Sequence, residues 1–260
     1  MNKNKIFRYF CYFFILTIIL FGGLILSKWC LNTKTNNFDT QITSEHFKIY
    51  YNFSDEKVVP DILKHLEYNY EKITKNLKQE PKIPVEIKIY SDLDSLHMAI
   101  KLNSNFFWWT VDTPDWIVGS IHNGGTISIV SPLNSGRSEF TYNEILKVAV
   151  HEFTHSVTLN INSKRNGDVL SEGIALHEAD QKQLLEFEIL PSSIGEMFLW
   201  NTSNQPQKTY ACGRHFVDFI IENYGYDKFL ELYKKDYGEN FDEEIKKIFE
   251  KWLRTCIQKD

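Results

Sequence analysis

Eighteen consecutive residues near the N-terminus, Tyr9 to Leu26 (YFCYFFILTIILFGGLIL), carry no charge, and nothing else restricts the fold so strongly. As a helix the run spans ~27 Å at ~1.5 Å per residue, close to the ~30 Å hydrocarbon core of a bilayer. Lys3, Lys5 and Arg8 precede it, and a basic flank stays on the cytoplasmic side, which puts the rest of the chain outside. The exit sequence, Leu24 to Cys30 (LILSKWC), lacks the small-x-small pair of a cleaved secretory signal. It also lacks the small residues that precede a lipoprotein cysteine. Residues 1–30 are therefore expected to be a single-pass cell-membrane anchor with a cytoplasmic N-terminus. Cleavage of the same segment would make the protein secreted.

Beyond the anchor the chain is soluble in character. Removing residues 1–30 leaves 25 basic against 34 acidic side chains, a net charge of −9. That balance argues against nucleic acid as a partner, since no basic excess is available to neutralise phosphates. Residues 31–44 (LNTKTNNFDTQITS) are polar and unpatterned, as in a short tether. Residues 45–260 show no internal repeat or low-complexity linker and read as one α+β domain. Its first part alternates strands (His46–Tyr51, Val85–Tyr90) with helices (Asp55–Leu77 and residues 91–102), giving a mixed β-sheet with helices. Phe106 to Ser131 reads as β structure around the turn Asn123-Gly124-Gly125, with Thr126–Val130 as an edge strand. From Thr141 onward the chain is mainly helical, ending in an amphipathic helix over Phe241–Ile257 whose apolar stripe is core packing.

One segment carries chemistry: His151-Glu152-Phe153-Thr154-His155. Thr141-Tyr142-Asn143-Glu144 is a capping-box pattern that starts a helix, and no Gly or Pro interrupts it through Val157. Four residues of helix advance ~400°, so His151 and His155 project from one face. Two imidazoles so placed can hold one Zn²⁺ at ~2.0–2.1 Å each. Glu152, turned ~100° from His151, lies beside such a metal and can accept a proton from a water bound to it. Two histidines leave a catalytic zinc one protein ligand short. Leu170-Ser171-Glu172-Gly173-Ile174-Ala175 offers Glu172, following the turn Asn166-Gly167-Asp168 that lets a second helix fold back; Gly173 permits close packing there. His177, Glu178 and His215 are rival third ligands, and an acid at a helix start is itself an ordinary feature.

His151-Glu152-x-x-His155 followed by Ser171-Glu172-Gly173-x-Ala175 resembles the gluzincin zinc metallopeptidases, the thermolysin-like and aminopeptidase-like zincins, and most closely the short peptidase-MA-like proteins. The resemblance covers roughly residues 141–225. It implies a zincin-like catalytic domain, one Zn²⁺ per chain held by His151, His155 and Glu172, and Glu152 as general base. It also implies a substrate-aligning edge strand, for which Thr126–Val130 stands in the expected order. Tyr210, in Tyr210-Ala211-Cys212-Gly213-Arg214-His215, is the first candidate for stabilising the oxyanion and His215 the second; packing alone also accounts for Tyr210. Thermolysin-like members carry an Asp four residues after the Glu ligand to orient a histidine. Leu176 occupies that position here, leaving the task to another group, with Glu178 a candidate. The aminopeptidase motif G-x-M-x-N is not visible.

The resulting expectation is a membrane-anchored, extracytoplasmic zinc metallopeptidase acting on a peptide or protein substrate. A zinc-binding but non-catalytic surface sensor or adaptor is the alternative. Trp108, Trp109 and Trp116 either line a cleft or belong to the core. An oxidising compartment permits a Cys212–Cys256 disulfide, and buried thiols are the other reading. Asn52-Phe53-Ser54 and Asn201-Thr202-Ser203 match the glycosylation acceptor pattern. Substrate identity and oligomeric state are left open.

Overall fold

The structure, a computed structural model, describes residues 3–103, 112–122, 124–165, 168–182, 189–200, 205–237 and 240–258. Among these, five strands and eight helices form an α+β fold: α1 (Lys3–Thr35), β1 (Thr40–Thr43), β2 (Phe47–Tyr51), α2 (Val59–Leu77), β3 (Val85–Tyr90), α3 (Leu93–Asn103), β4 (Gly119–Ile121), β5 (Ile127–Val130), α4 (Tyr142–Thr158), α5 (Val169–Glu178), α6 (Ile194–Leu199), α7 (Pro206–Lys234) and α8 (Glu243–Ile257). The expected division into a mixed sheet with helices and a helical second half is what the chain adopts.

The sheet runs β1-β2-β3-β5-β4. Its centre is parallel (β2, β3, β5), and the outer strands β1 and β4 are antiparallel to their neighbours. In β3 the period-two pattern buries Val85, Ile87 and Ile89 while Glu86 stays exposed. Helix α2 places Ile62, Leu66, Ile73 and Leu77 on one stripe, all buried at 1% exposure or less, each worth ~1.5–3 kcal/mol relative to leaving it in water. Phe47 of β2 and Tyr70 of α2 both meet Phe153 of α4, at 5.1 and 5.6 Å between ring centroids. Helix α4 is thus clamped between sheet and α2 and is buried around nearly its whole circumference in its second half. That is the helix carrying the histidine pair.

Two expectations shift, and the open choice at Cys212 and Cys256 falls to free thiols. The tether over residues 31–44 is largely ordered: α1 continues to Thr35, and Thr40–Thr43 pairs with β2. A four-residue edge strand exposed along most of its length shows no apolar alternation that sequence could reveal. The segment expected as an edge strand, Thr126–Val130, instead contains β5, an inner strand hydrogen-bonded on both sides and buried at every position. The edge is β4, joined to β5 by the expected turn, with Gly124 and Gly125 at positive φ; Asn123 lies outside the described residues. No disulfide joins Cys212 to Cys256; the Cys212 thiol is buried and donates to the Ile189 carbonyl at 3.6 Å.

Helix α1 is long and apolar enough to cross a membrane, and its apolar side chains are exposed, Phe13 at 70% and Ile19 at 63%.

Candidate metal centre

The site forms where α4 and α5 cross beneath the edge strand β4. Thr141 caps α4, its hydroxyl accepting from the Glu144 N–H at 3.3 Å. Asp168 caps α5, its carboxylate accepting from the N–H groups of Leu170 and Ser171 at 3.0 and 2.9 Å, a contact worth ~1 kcal/mol. The cap fixes where α5 begins and therefore which way Glu172, in its first turn, points. Helix α5 lies so close to α7 that a side chain on Gly173 would meet the Gly213 carbonyl oxygen at 2.3 Å. Its glycine is needed for that approach, as the sequence suggested.

His151 Nε2, His155 Nε2 and Glu172 Oε2 converge. The two nitrogens are 3.0 Å apart, and they lie 3.3 and 3.5 Å from the carboxylate oxygen. Three donors bound at ~2.0–2.1 Å to one tetrahedral ion stand ~3.3–3.4 Å from one another, so this triangle has the size a single metal requires. All three residues are buried, and together they can hold a metal ion.

The opposite ring nitrogens make the two imidazoles good ligands. His151 Nδ1 donates to Gln181 Oε1 at 2.9 Å; an amide oxygen only accepts, so Nδ1 keeps its hydrogen and the neutral ring presents the Nε2 lone pair to a metal. His155 Nδ1 is 3.2 Å from Ser171 Oγ, which can accept in the same way. These partners were not assigned a role from sequence. Ser171 was visible as the residue before the ligand. Gln181 was not, because it reaches the site only through a reversal at the end of α5: Asp180 adopts a left-handed conformation (φ 50), with Asp180 N–H bonded to His177 O and Gln181 N–H to Leu176 O. This Schellman turn swings Gln181 back towards α4.

The rival ligands lie elsewhere. His177 follows Glu172 by five residues, a rotation of ~140°, and so leaves the Glu172 face. Its ring bonds Asp218 (2.5 Å) and the Tyr226 hydroxyl (3.0 Å). Glu178, suggested as the histidine-orienting group, instead accepts from Asn76 at 3.0 Å and Tyr226 at 2.7 Å and pairs with Lys72 at 3.2 Å. Arg214 ties this second network together through Asp218 and the Leu176 carbonyl. His215, five residues beyond Tyr210, does not line the cleft.

Glu152 lines the same cleft as the triad, about 600 Å³ in volume. Gly119 of β4 packs directly on it; a side chain there would meet Glu152 Oε1 at 2.8 Å. Burial pushes the Glu152 carboxyl up to about 7; the His151 charge opposes this and the Glu172 charge adds to it. A cation on the triad would lower it again. Glu172 shows the opposite balance. Burial pushes its carboxyl up, but the two imidazoles outweigh that and hold it well below the usual carboxylate range. One buried carboxylate is thus kept ionised while its neighbour is poised to take a proton, a division typical of acid–base sites.

Tyr210, at the start of α7, comes to the same cleft. Its ring stands edge-on to His151 at 6.4 Å and to Trp116 at 5.9 Å. Burial, reinforced by the charges of Glu172 and Glu152, raises its hydroxyl well above the ordinary value, so it remains a donor. Trp116 lines the cleft with Val118–Ile121, Arg137, Glu139 and Phe140. Trp108, Trp109 and Asn201–Ser203 lie outside the described residues. No protein-family model, curated protein or solved structure matches the chain.

Proposed function

We propose that the protein is a membrane-anchored zinc metallopeptidase of the gluzincin type with its site outside the cytoplasm. The observation that carries the reading is the metal-sized triangle of two imidazole nitrogens and one carboxylate oxygen beside an unligated, proton-accepting Glu152. A nitrogen-nitrogen-oxygen donor set with a fourth corner open to a cleft suits catalytic zinc, which supplies Lewis-acid polarisation of a carbonyl and acidifies water.

The chain's own groups then divide the work. His151, His155 and Glu172 bind the ion, and Gln181 and Ser171 orient the rings. Glu152 takes a proton from the attacking water on its carboxylate and passes it to the leaving amine nitrogen. Tyr210 Oη donates to the carbonyl oxygen as that atom gains charge. The outer edge of β4, along the cleft, accepts an extended peptide as an added strand. The non-catalytic alternative calls for a closed four-ligand shell, and the described residues contain a three-residue group there.

Hydrolysis of a mixed peptide library, with and without phenanthroline, tests the reading. Glu152→Gln is expected to retain one zinc per chain by elemental analysis while losing at least ~10²-fold in turnover. Full activity in that variant, or in the presence of the chelator, would overturn it.

A further inference from the structure

An unbroken series of contacts joins the stalk to the cleft, and this bears on which bonds the enzyme reaches. Over the last three turns of α1 only Leu24, Lys28, Leu31 and Thr35 are half-buried. Their spacing of four, three and four residues is the single face a helix presents to a neighbour, and α3 is the helix that α1 packs against. At the end of α1, Asn36 Oδ1 accepts from Lys88 Nζ at 2.8 Å and Tyr90 Oη at 3.0 Å, both on β3. Phe38 then stands edge-on to Tyr90 at 5.4 Å. From α3, the ring of His97 bonds the carbonyl of Ile117 at 2.9 Å, and Ile117 lines the cleft immediately ahead of β4. The contacts from stalk to cleft wall are therefore continuous.

Leu24, the first of these half-buried residues, still belongs to the uncharged run. From there to Thr35 the helix rises ~16 Å, against ~5–8 Å of headgroup layer on each side of a bilayer. The domain accordingly grips its stalk from the edge of the hydrocarbon upward, with no free chain between. A folded unit of this size is ~45 Å across, so the cleft stands no higher than that above the lipid. An extended peptide covers such a height in under ~15 residues.

Resting on the proposed peptidase and anchor, we infer that the substrates are proteins held in the same bilayer, cut in the first ~15 residues outside it. A mobile tether would present the site to soluble chains at any height; this one holds it over the membrane surface.

The test uses the full-length protein in liposomes. Its partners are single-pass helices carrying Gly/Ser spacers of about 5, 10, 15 and 40 residues, followed by the peptide cut fastest in the library. Cleavage per molecule is expected to peak near the intermediate spacers and to fall about fourfold by the longest, as effective concentration declines with the −3/2 power of length. A Gly/Ser insertion of about 12 residues after Thr35, combined with Leu31→Glu to open the packing of α1 on α3, should broaden that profile and move it to longer spacers. Unchanged cutting of the free peptide would show that the inserted variant still folds. A rate independent of spacer length, or a profile unmoved by the insertion, overturns the inference while free peptide is still cut. If free peptide is not cut either, the peptidase reading itself has failed, and the inference falls with it.

Discussion

Each imidazole of the candidate metal group spends its second nitrogen on a neutral oxygen, Gln181 for His151 and Ser171 for His155. Thermolysin-like sites use a carboxylate for this, which makes the ring more basic; an amide and a hydroxyl orient without adding charge. Outer contacts of this kind typically carry ~10–100-fold in metal affinity. Gln181→Ala is therefore expected to weaken zinc binding by about that factor in a chelator competition, and Ser171→Ala to act in the same direction. Glu178→Gln, at the position first suspected of orienting a histidine, should leave affinity unchanged because its carboxylate is bonded to Asn76 and Tyr226. The histidine pair and Glu152 were legible because helical periodicity puts them on the right faces, whereas Glu172 stood out from its rivals only through the resemblance carried by Ser171-Glu172-Gly173-x-Ala175. Gln181 was not legible, since a non-glycine residue in a left-handed turn carries no sequence signature.

Helices α5 and α7 cross at a pair of glycines, Gly173 and Gly213. A side chain on Gly213 would also meet the Val169 carbonyl oxygen, at 2.6 Å. Backbone rather than flexible side chain stands in the way, so Gly173→Ala must push the helices apart. We expect a loss of about 1–3 kcal/mol, read as a melting temperature lower by several degrees at ~2–4 °C per kcal/mol for a domain of this size. Zinc content should fall with it, because Glu172 rides on the displaced turn. An unchanged melting temperature would mean that the crossing is looser than its geometry implies. The glycine's purpose was readable from its place beside a candidate ligand, and strands β2 and β3 and helices α2, α4 and α8 from their periodicity. What escaped was pairing. β4 spans three residues and shows no alternation, so the cleft edge was assigned to its apolar neighbour β5. Strand order follows from long-range contacts that local pattern does not encode.

At the scale of the whole molecule, the face of the sheet that receives the stalk is polar and partly buried. His122, after β4, bonds Ser128 Oγ of β5 at 2.9 Å. Lys88 lies on the same face, and Asn36 closes the row from the stalk side. Burial, followed by the charge of Lys88, pushes the His122 ring down to about 4; burial likewise lowers Lys88, with Glu86 opposing. The native fold therefore refuses a proton that the unfolded chain takes up below about 6.5. Its stabilising contribution is complete above that pH and drains away as pH falls towards about 4. The partly exposed ring limits the effect to on the order of 1–2 kcal/mol. Carboxylates held low by partners, such as Asp218 with His177 and Arg214 set against its burial, lose their contribution only further into acid. Melting temperatures of the full chain in detergent, taken from pH 7.5 to 4 beside those of His122→Asn, separate the two. The native protein should lose several degrees more than the variant between about pH 6.5 and 4.5. Parallel curves would mean that the seat of the stalk takes up its proton as readily as the unfolded chain does.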